Sequence, residues 1–234
     1  MAAHPSRTGR PGPPPALALA MALAMAMALA AGCARTRPAP GPPLPDLSRI
    51  AVLPVDRASV RPGQEKATCA LSDTTFAASE VNPEQAEAVT RVLFELVEGD
   101  PRFRPVPEGR CLGLLGALLA ADVKATQLRL IRAFGRELGA DAVLYVKLFR
   151  FSEREGTAYG VRRPASVAFN LHLIRVADGA VLWRAAFDET QKPVSENLLA
   201  LDTYRRRAVR WLTAAELARM GLEAALADLR RRLP

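Results

Sequence analysis

Residues 140–151 read ADAVLYVKLFRF, and this stretch decides how the rest of the chain can fold. Its apolar side chains occupy both alternating sets of positions, so we expect both faces of the segment to be buried. One face carries Val143, Tyr145, Lys147 and Phe149, and the other carries Leu144, Val146, Leu148 and Phe151. A strand of this kind lies in the centre of a sheet that is covered on both sides.

The residues that follow predict two more strands joined by a tight turn. Residues 166–176 alternate, so we expect their apolar set to face the core and the other set to face solvent. The solvent-facing set is Ser166, Ala168, Asn170 and His172. Asp178-Gly179 is a turn signal, which predicts that residues 180–187 pair back as the next strand.

The residues before this stretch supply shorter strands and helices. Residues 50–55, IAVLPV, predict a buried strand, residues 103–106 predict a second one, and residues 56–81 predict a long loop. Amphipathic helices are predicted over 82–98, 126–138 and 212–233, and the glycine-rich stretch 112–121 predicts a short helix. This order predicts an α/β fold in which a mixed β-sheet of about five strands packs with three to four helices.

Residues 1–32 predict a lipoprotein signal peptide. Arg7 and Arg10 form a positive start, residues 16–31 are apolar, and Gly32 precedes Cys33. The segment resembles a bacterial lipobox, which implies cleavage before Cys33 and lipidation of Cys33, including an acyl chain such as palmitate on its amino group. A transmembrane helix is the alternative, but the apolar run is shorter than the roughly 18 residues of a span.

A proline-rich linker follows the signal peptide. Residues 33–46 hold the lipidated cysteine and the segment ARTRPAPGPPLP, which cannot bury a core and predicts an extended spacer. Residues 47–234 then form a single α/β envelope domain, since about 200 residues suit one core. Lipoproteins with Ala34 rather than aspartate after the cysteine resemble those moved to the outer membrane, facing the periplasm.

The net charge of +8 decreases to +6 when residues 1–32 are removed, because Arg7 and Arg10 are lost and no acidic residue precedes Cys33. Basicity alone favours nucleic acid as a partner. An exported lipoprotein meets little nucleic acid, so we expect no nucleic-acid function. Membrane attachment through Cys33 and an envelope protein partner fit better, and the oligomeric state is not specified by the sequence.

Two cysteines remain in the predicted domain. Cys69 and Cys111 lie in an exported chain, where pairs of cysteines oxidise, so a disulfide between them is predicted. Two buried free thiols are the open alternative. Neither cysteine has the CxxC spacing of a redox or zinc site.

No pattern of catalytic, cofactor-binding or metal-ligating residues occurs in the sequence. His172 is the one histidine after Cys33, and the serine-hydrolase, zinc-protease, phosphate-loop and calcium-loop motifs are absent. We therefore expect no enzyme and no cofactor. Trp183 and Trp211 could form a ligand-stacking surface, although packing is the simpler interpretation.

Several of these segments together resemble a known group of exported lipoproteins. The segments are IAVLPV at 50–55, RELGADAVLYVKLFRF at 136–151 and VAFNLHLIRVADGAVLWRAAFD at 167–188. The group comprises the curli-secretion lipoprotein, penicillin-binding-protein activators, the amino-terminal domain of the Tol propeller protein and transport auxiliary lipoproteins. The resemblance implies an α/β domain that docks to envelope partners and has no catalytic centre.

The predicted function is therefore that of a lipid-anchored, non-enzymatic scaffold or accessory of an envelope assembly. The loop 56–81 and the segment 192–211 are its predicted binding surface, because neither has a core-forming pattern. The alternative is a lipid-binding or small-ligand-binding auxiliary of an ABC-type transport system, which requires an apolar pocket between sheet and helices. Hydrolase activity is a third, less favoured interpretation.

Overall fold

A mixed β-sheet organises the residues that the computed structural model describes, 42–192 and 210–234. Its six strands are β1 Ile50–Val52, β2 Asp56–Arg57, β5 Phe103–Pro105, β6 Ala142–Ser152, β9 Ser166–Arg175 and β10 Val181–Thr190. The order is β10-β9-β6-β1-β5, and β2 pairs with β6 beyond the end of β1. The strands β1, β2, β5 and β6 run parallel where they pair, whereas β9 is antiparallel to both β6 and β10.

Two small hairpins accompany the sheet. One is formed by β3 Lys66–Thr68 and β4 Thr75–Ala77, and the other by β7 Glu155–Gly156 and β8 Val161–Arg163. The predicted long loop at 56–81 is therefore wrong, because this segment contains β2 and the β3–β4 hairpin. Strands of two or three residues are too short to show a hydrophobic period in sequence.

Four helices occur in the described part of the chain: α1 Pro83–Val97, α2 Glu108–Ala121, α3 Gln127–Glu137 and α4 Ala214–Arg232. Asn82 with Gln85 and Thr213 with Glu216 form capping boxes at the starts of α1 and α4. Thr126 caps α3, whereas α2 begins after Pro107 without a side-chain cap. The predicted α/β class with a mixed sheet is confirmed.

One face of the sheet packs against α1 and α4. Phe169 of β9 stacks on Phe187 of β10 with ring centroids 5.0 Å apart, and Gly221 lets α4 approach these rings. Trp183 is buried on the same face, and its Nε1 donates to Asp228 Oδ2 at 2.9 Å. The packing interpretation of Trp183 is thereby confirmed.

The opposite face is covered by α3 and by the β3–β4 hairpin. Ile131 and Phe134 of α3 pack over Val143, while Phe76 of β4 stacks on Phe149 of β6 at 4.5 Å. This hairpin overturns one prediction, namely that alternate residues of β9 face solvent. The whole set, Ser166, Ala168, Asn170 and His172, is buried.

Four predictions fall wholly or partly on residues outside the described ranges: the signal peptide, lipidation at Cys33, residues 33–41 of the predicted linker, and residues 193–209 of the predicted binding surface. Within the described ranges, none of the helices has the length and apolar character needed to cross a membrane.

Candidate functional site

An apolar cavity of about 490 Å³ lies just past the carboxyl end of β1, between α1, α2 and α3. Its size is typical of sites that hold a small molecule or a partner side chain, and the end of parallel strands is the usual place for such sites in α/β folds. Its apolar lining includes six large side chains: Leu53, Val55, Leu115, Leu119, Leu130 and Phe134.

A network of hydrogen bonds around Asp56 supports one wall of the cavity. Asp56 Oδ2 accepts from Lys147 Nζ at 3.0 Å, from Gln127 Nε2 at 3.2 Å and from the hydroxyl of Tyr145. Burial, followed by the charge of Asp56, raises the pKa of Tyr145 well above its ordinary value. Tyr145 therefore remains a protonated donor, and Lys147 balances the carboxylate. The network thus has a structural role and contains no unpaired acid or base.

Helix α2 forms the outer wall and is unusually apolar for its position. Its sequence is EGRCLGLLGALLAA, and none of its residues is buried. Leu112 is 60% exposed and Leu119 is 38% exposed, although both also line the cavity. Each fully buried leucine gains about 2 kcal/mol, so this open surface forgoes stabilisation that a partner could recover.

Charged residues at the edge of the cavity are mostly carboxylates. Asp56, Glu87 and Glu108 line it together with one cation, Arg57. Arg57 Nη1 donates to the carbonyl of Val81 at 2.9 Å. Lys147 pairs with Asp56 and Arg91 pairs with Glu87, so the charges at this edge largely balance.

The structure corrects the prediction of a disulfide between Cys69 and Cys111, because both are free thiols. Cys69 lies beneath the β3–β4 hairpin, with its Sγ 3.3 Å from His172 Nε2. Cys111 lies on α2 and lines the cavity, in a different apolar cluster. Burial, then the carboxylates of Glu108 and Asp56, raise the pKa of Cys111, so its thiol stays protonated and is a poor nucleophile.

His172 is fully buried, and its Nδ1 has no hydrogen-bond partner among the residues that the structure describes. Burial, followed by the nearby charge of Arg184, lowers its pKa to about 4. The neutral imidazole lies under the hairpin and does not line the cavity. Residues 42–192 and 210–234 contain no group of three or more His, Cys, Asp or Glu side chains placed to hold a metal ion.

The sequence-based interpretation of the binding surface missed this cavity. Of residues 56–81, only Asp56 and Arg57 line it, while Cys69 and Phe76 are buried against the sheet. The available signal was in residues 108–121, where Glu108 and Arg110 are the only charged residues and the apolar side chains show no clear one-sided pattern. A helix of this composition must either enter the core or present apolar surface.

Comparisons with known proteins identify structures of similar fold. No family model matches the sequence, and no curated protein matches it. The chain is similar to the PelC dodecamer subunit from Paraburkholderia phytofirmans, with 16% identity, coverage of 81% of this chain and 91% of that chain, and a TM-score of 0.45. It is also similar to lipoprotein GNA1162 from Neisseria meningitidis, with 14% identity, coverage of 69% and 99%, and a TM-score of 0.37.

A third similar structure is the LpoB C-terminal domain from Salmonella enterica, with 14% identity, coverage of 63% of this chain and 86% of that chain, and a TM-score of 0.35. Similarity at this level carries no argument about activity or partners. These neighbours match the group of exported lipoproteins that the sequence motifs resemble.

Proposed function

We propose that this chain is a lipid-anchored accessory protein of the cell envelope that binds a protein partner and performs no catalysis. Cys33 attaches it to the outer membrane, the proline-rich linker spaces it from the lipid surface, and the α/β domain faces the periplasm. The observation that carries the proposal is helix α2, whose leucines stand open beside an apolar cavity.

The chemistry of the cavity supports binding rather than catalysis. Tyr145 and Cys111 both have raised pKa values and keep their protons, and the carboxylate of Asp56 is paired with Lys147. Neither the Tyr145 hydroxyl nor the Cys111 thiol is an activated nucleophile near neutral pH, and the Asp56 carboxylate is held in its ion pair with Lys147. The cavity therefore offers shape and apolar contact.

A photo-crosslinking amino acid placed at Leu112 in intact cells tests this proposal. Tyr159, which is 88% exposed and does not line the cavity, is the matched control position. We expect a specific envelope protein to be crosslinked at position 112 and not at position 159. The adduct should be lost when Cys33→Ala removes the anchor. Equal labelling at both positions, or no protein adduct at position 112, would contradict the proposal.

A lipid or small-ligand auxiliary of a transport system is the second candidate, and the cavity volume of about 490 Å³ favours it. Native mass spectrometry of the purified lipoprotein would then show a bound apolar molecule beyond the covalent lipid. Leu115→Trp, which adds bulk inside the cavity, should reduce that signal. If neither the wild-type protein nor the Leu115→Trp variant holds a bound molecule, this candidate function is excluded.

A further inference from the structure

A second pocket, of about 370 Å³, lies beside the edge strand β5, on the face of the sheet that α3 covers. Three arginines line it, and we call it the arginine pocket: Arg49 before β1, Arg104 in β5 and Arg110 in α2. In the described part of the chain, no aspartate or glutamate belongs to its lining. The other lining residues are Ala51, Pro105, Val106, Pro107, Leu138 and Ala140.

The fold brings these three arginines together from separate parts of the chain. Arg104 of β5 pairs in register with Ala51 of β1, so the two side chains are on the same side of the sheet. Arg49 precedes Ala51 by two residues, which places its side chain on that side too. Arg110, near the start of α2, completes the wall.

Two of the arginines are held by neutral partners. Arg49 Nη1 donates to the carbonyl of Gly139 at 2.9 Å. A Cβ at Gly139 would lie only 2.9 Å from the same Nη1, so the glycine leaves room for the guanidinium to rest against the backbone. Arg104 Nη1 donates to the carbonyl of Phe103 at 3.4 Å. These carbonyls occupy one donor atom of each guanidinium and do not neutralise its charge.

Carboxylates close to the pocket lie outside its lining. Glu108 lines the apolar cavity instead, and Glu137 lines neither. Asp141 Oδ2 accepts from the hydroxyl of Ser48 at 3.0 Å and from the backbone nitrogen of Arg49 at 2.9 Å. Among the residues that the structure describes, no carboxylate forms an ion pair with any of the three guanidinium groups. The wall of the pocket therefore attracts an anion.

The charge and shape of the pocket favour a phosphate group over a carboxylate. A phosphate monoester carries about two negative charges near neutral pH and has three acceptor oxygens, whereas a carboxylate carries one charge and has two oxygens. Each guanidinium can pair with phosphate oxygens through two parallel hydrogen bonds. The volume is within the range of small-molecule sites, which leaves room for a small body against Val106 and Leu138.

We propose that the arginine pocket binds a phosphate monoester, on a small molecule or on a lipid headgroup, through Arg49, Arg104 and Arg110. This inference goes beyond the protein-binding function proposed above and does not depend on it, because the pocket and the apolar cavity share no lining residue. The two sources present the same phosphate chemistry, and the experiment separates them.

Isothermal titration calorimetry of the mature lipoprotein in phosphatidylcholine nanodiscs tests the soluble source. Glycerol phosphate is the probe, and glycerate, which has a carboxylate in place of the phosphate, is the comparison compound. We expect glycerol phosphate to bind at least about tenfold more tightly than glycerate. Its binding should also weaken as the salt concentration increases.

Substitutions in the pocket should weaken this binding. Arg110→Gln and Arg104→Gln should each lower the affinity for glycerol phosphate at least about tenfold, because a charged hydrogen-bond donor is lost. Arg110→Lys should restore part of the affinity, because it keeps the charge without the planar fork. Arg61→Gln removes the same charge from an exposed arginine outside the pocket and should leave the affinity unchanged. Circular dichroism verifies that each variant is folded.

Nanodiscs that also contain phosphatidic acid test the lipid source, because the headgroup of this lipid is a phosphate monoester. If the pocket takes the headgroup, the phosphorus NMR resonance of phosphatidic acid should broaden with the wild-type protein and much less with Arg110→Gln. The apparent affinity for added glycerol phosphate should then be lower than in phosphatidylcholine alone. An Arg110-dependent signal from either source supports the inference.

Three outcomes would overturn it: no Arg110-dependent binding of glycerol phosphate or phosphatidic acid, glycerate binding as tight as that of glycerol phosphate, or the same loss of affinity in Arg61→Gln as in Arg110→Gln. A glutamate-rich peptide that binds while both phosphate compounds do not would also overturn it, in favour of an acidic protein. The photo-crosslink at position 112 reports on the apolar cavity, so its result is independent of these outcomes.

Discussion

A decrease of pH from 7 to 5 should destabilise this domain through His172. Its side chain has no exposed surface, its Nδ1 has no partner in the described ranges, and its Nε2 lies 3.3 Å from Cys69 Sγ. On the neighbouring strands Arg184 and Tyr145 stand directly opposite it. Burial removes the water that would solvate a positive imidazolium, and neither Arg184 nor Tyr145 provides a negative charge to pair with it. His172 is therefore neutral in the folded state.

The expected size follows from the two pKa values. The pKa of His172 is about 4 in the folded chain and 6.5 when it is exposed. Between these values the unfolded chain binds a proton that the folded chain does not, so the free energy of unfolding decreases as the pH falls below 6.5, and the loss levels off below 4. From pH 7 to pH 5 the loss amounts to about 2 kcal/mol.

Urea unfolding followed by circular dichroism at half-unit intervals between pH 7 and pH 5 measures this loss. His172→Gln is the control, because glutamine keeps a polar side chain and has no charge to acquire. The one other histidine in the sequence is His4, which lies in the predicted signal peptide. Ordinary carboxyl pKa values lie below this window. A wild-type stability that is constant from pH 7 to pH 5, or the same slope in His172→Gln, would refute the reasoning.

Four further substitutions have clear expected outcomes. Gly113→Ala on α2 should raise the free energy of unfolding by about 0.5–1 kcal/mol, because the added Cβ meets open space. Gly221→Ala should lower the free energy of unfolding, because its Cβ would lie 2.7 Å from a phenylalanine ring. Urea titration of the two variants side by side checks these opposite signs. Phe76→Ala should cost about 3–4 kcal/mol and expose the sheet under the β3–β4 hairpin, which increased dye binding would report. Trp183→Phe should cost about 1.5 kcal/mol and raise the pKa of Asp228, measurable by NMR titration of its carboxylate, because the indole hydrogen bond is lost.

The strands β6 and β9 were predictable because they are long and apolar. Residues 140–151 and 166–176 predict β6 and β9 to within two residues at each end. Helix starts were equally readable, since Asn82 and Thr213 are each followed three residues later by a side chain that completes a capping box. These signals are local, so they can be recognised from the sequence alone.

The sequence did not predict that the β3–β4 hairpin covers the second face of the sheet, and the reason is physical. Whether His172 faces water depends on a hairpin about a hundred residues earlier in the chain, and nothing in the alternation of β9 reports that contact. The cavity is hidden as well, because it depends on how the consecutive helices α1, α2 and α3 pack past the end of β1, and their separate sequence patterns do not report that packing. The resemblance to docking lipoproteins does not indicate which surface is open. The sequence of residues 112–121 predicts only a short helix.

The placement of β1 has a mechanical consequence. The chain comes from the linker into β1, which lies between β5 and β6 and pairs in parallel with both. The backbone nitrogen of Leu44 also donates to the carbonyl of Arg232 at 2.8 Å. Suppose that the linker is pulled while an opposing force acts beyond the carboxyl end of β1. The force then acts along the axis of β1. Hydrogen bonds on both sides of β1 then share the load in shear instead of opening one after another.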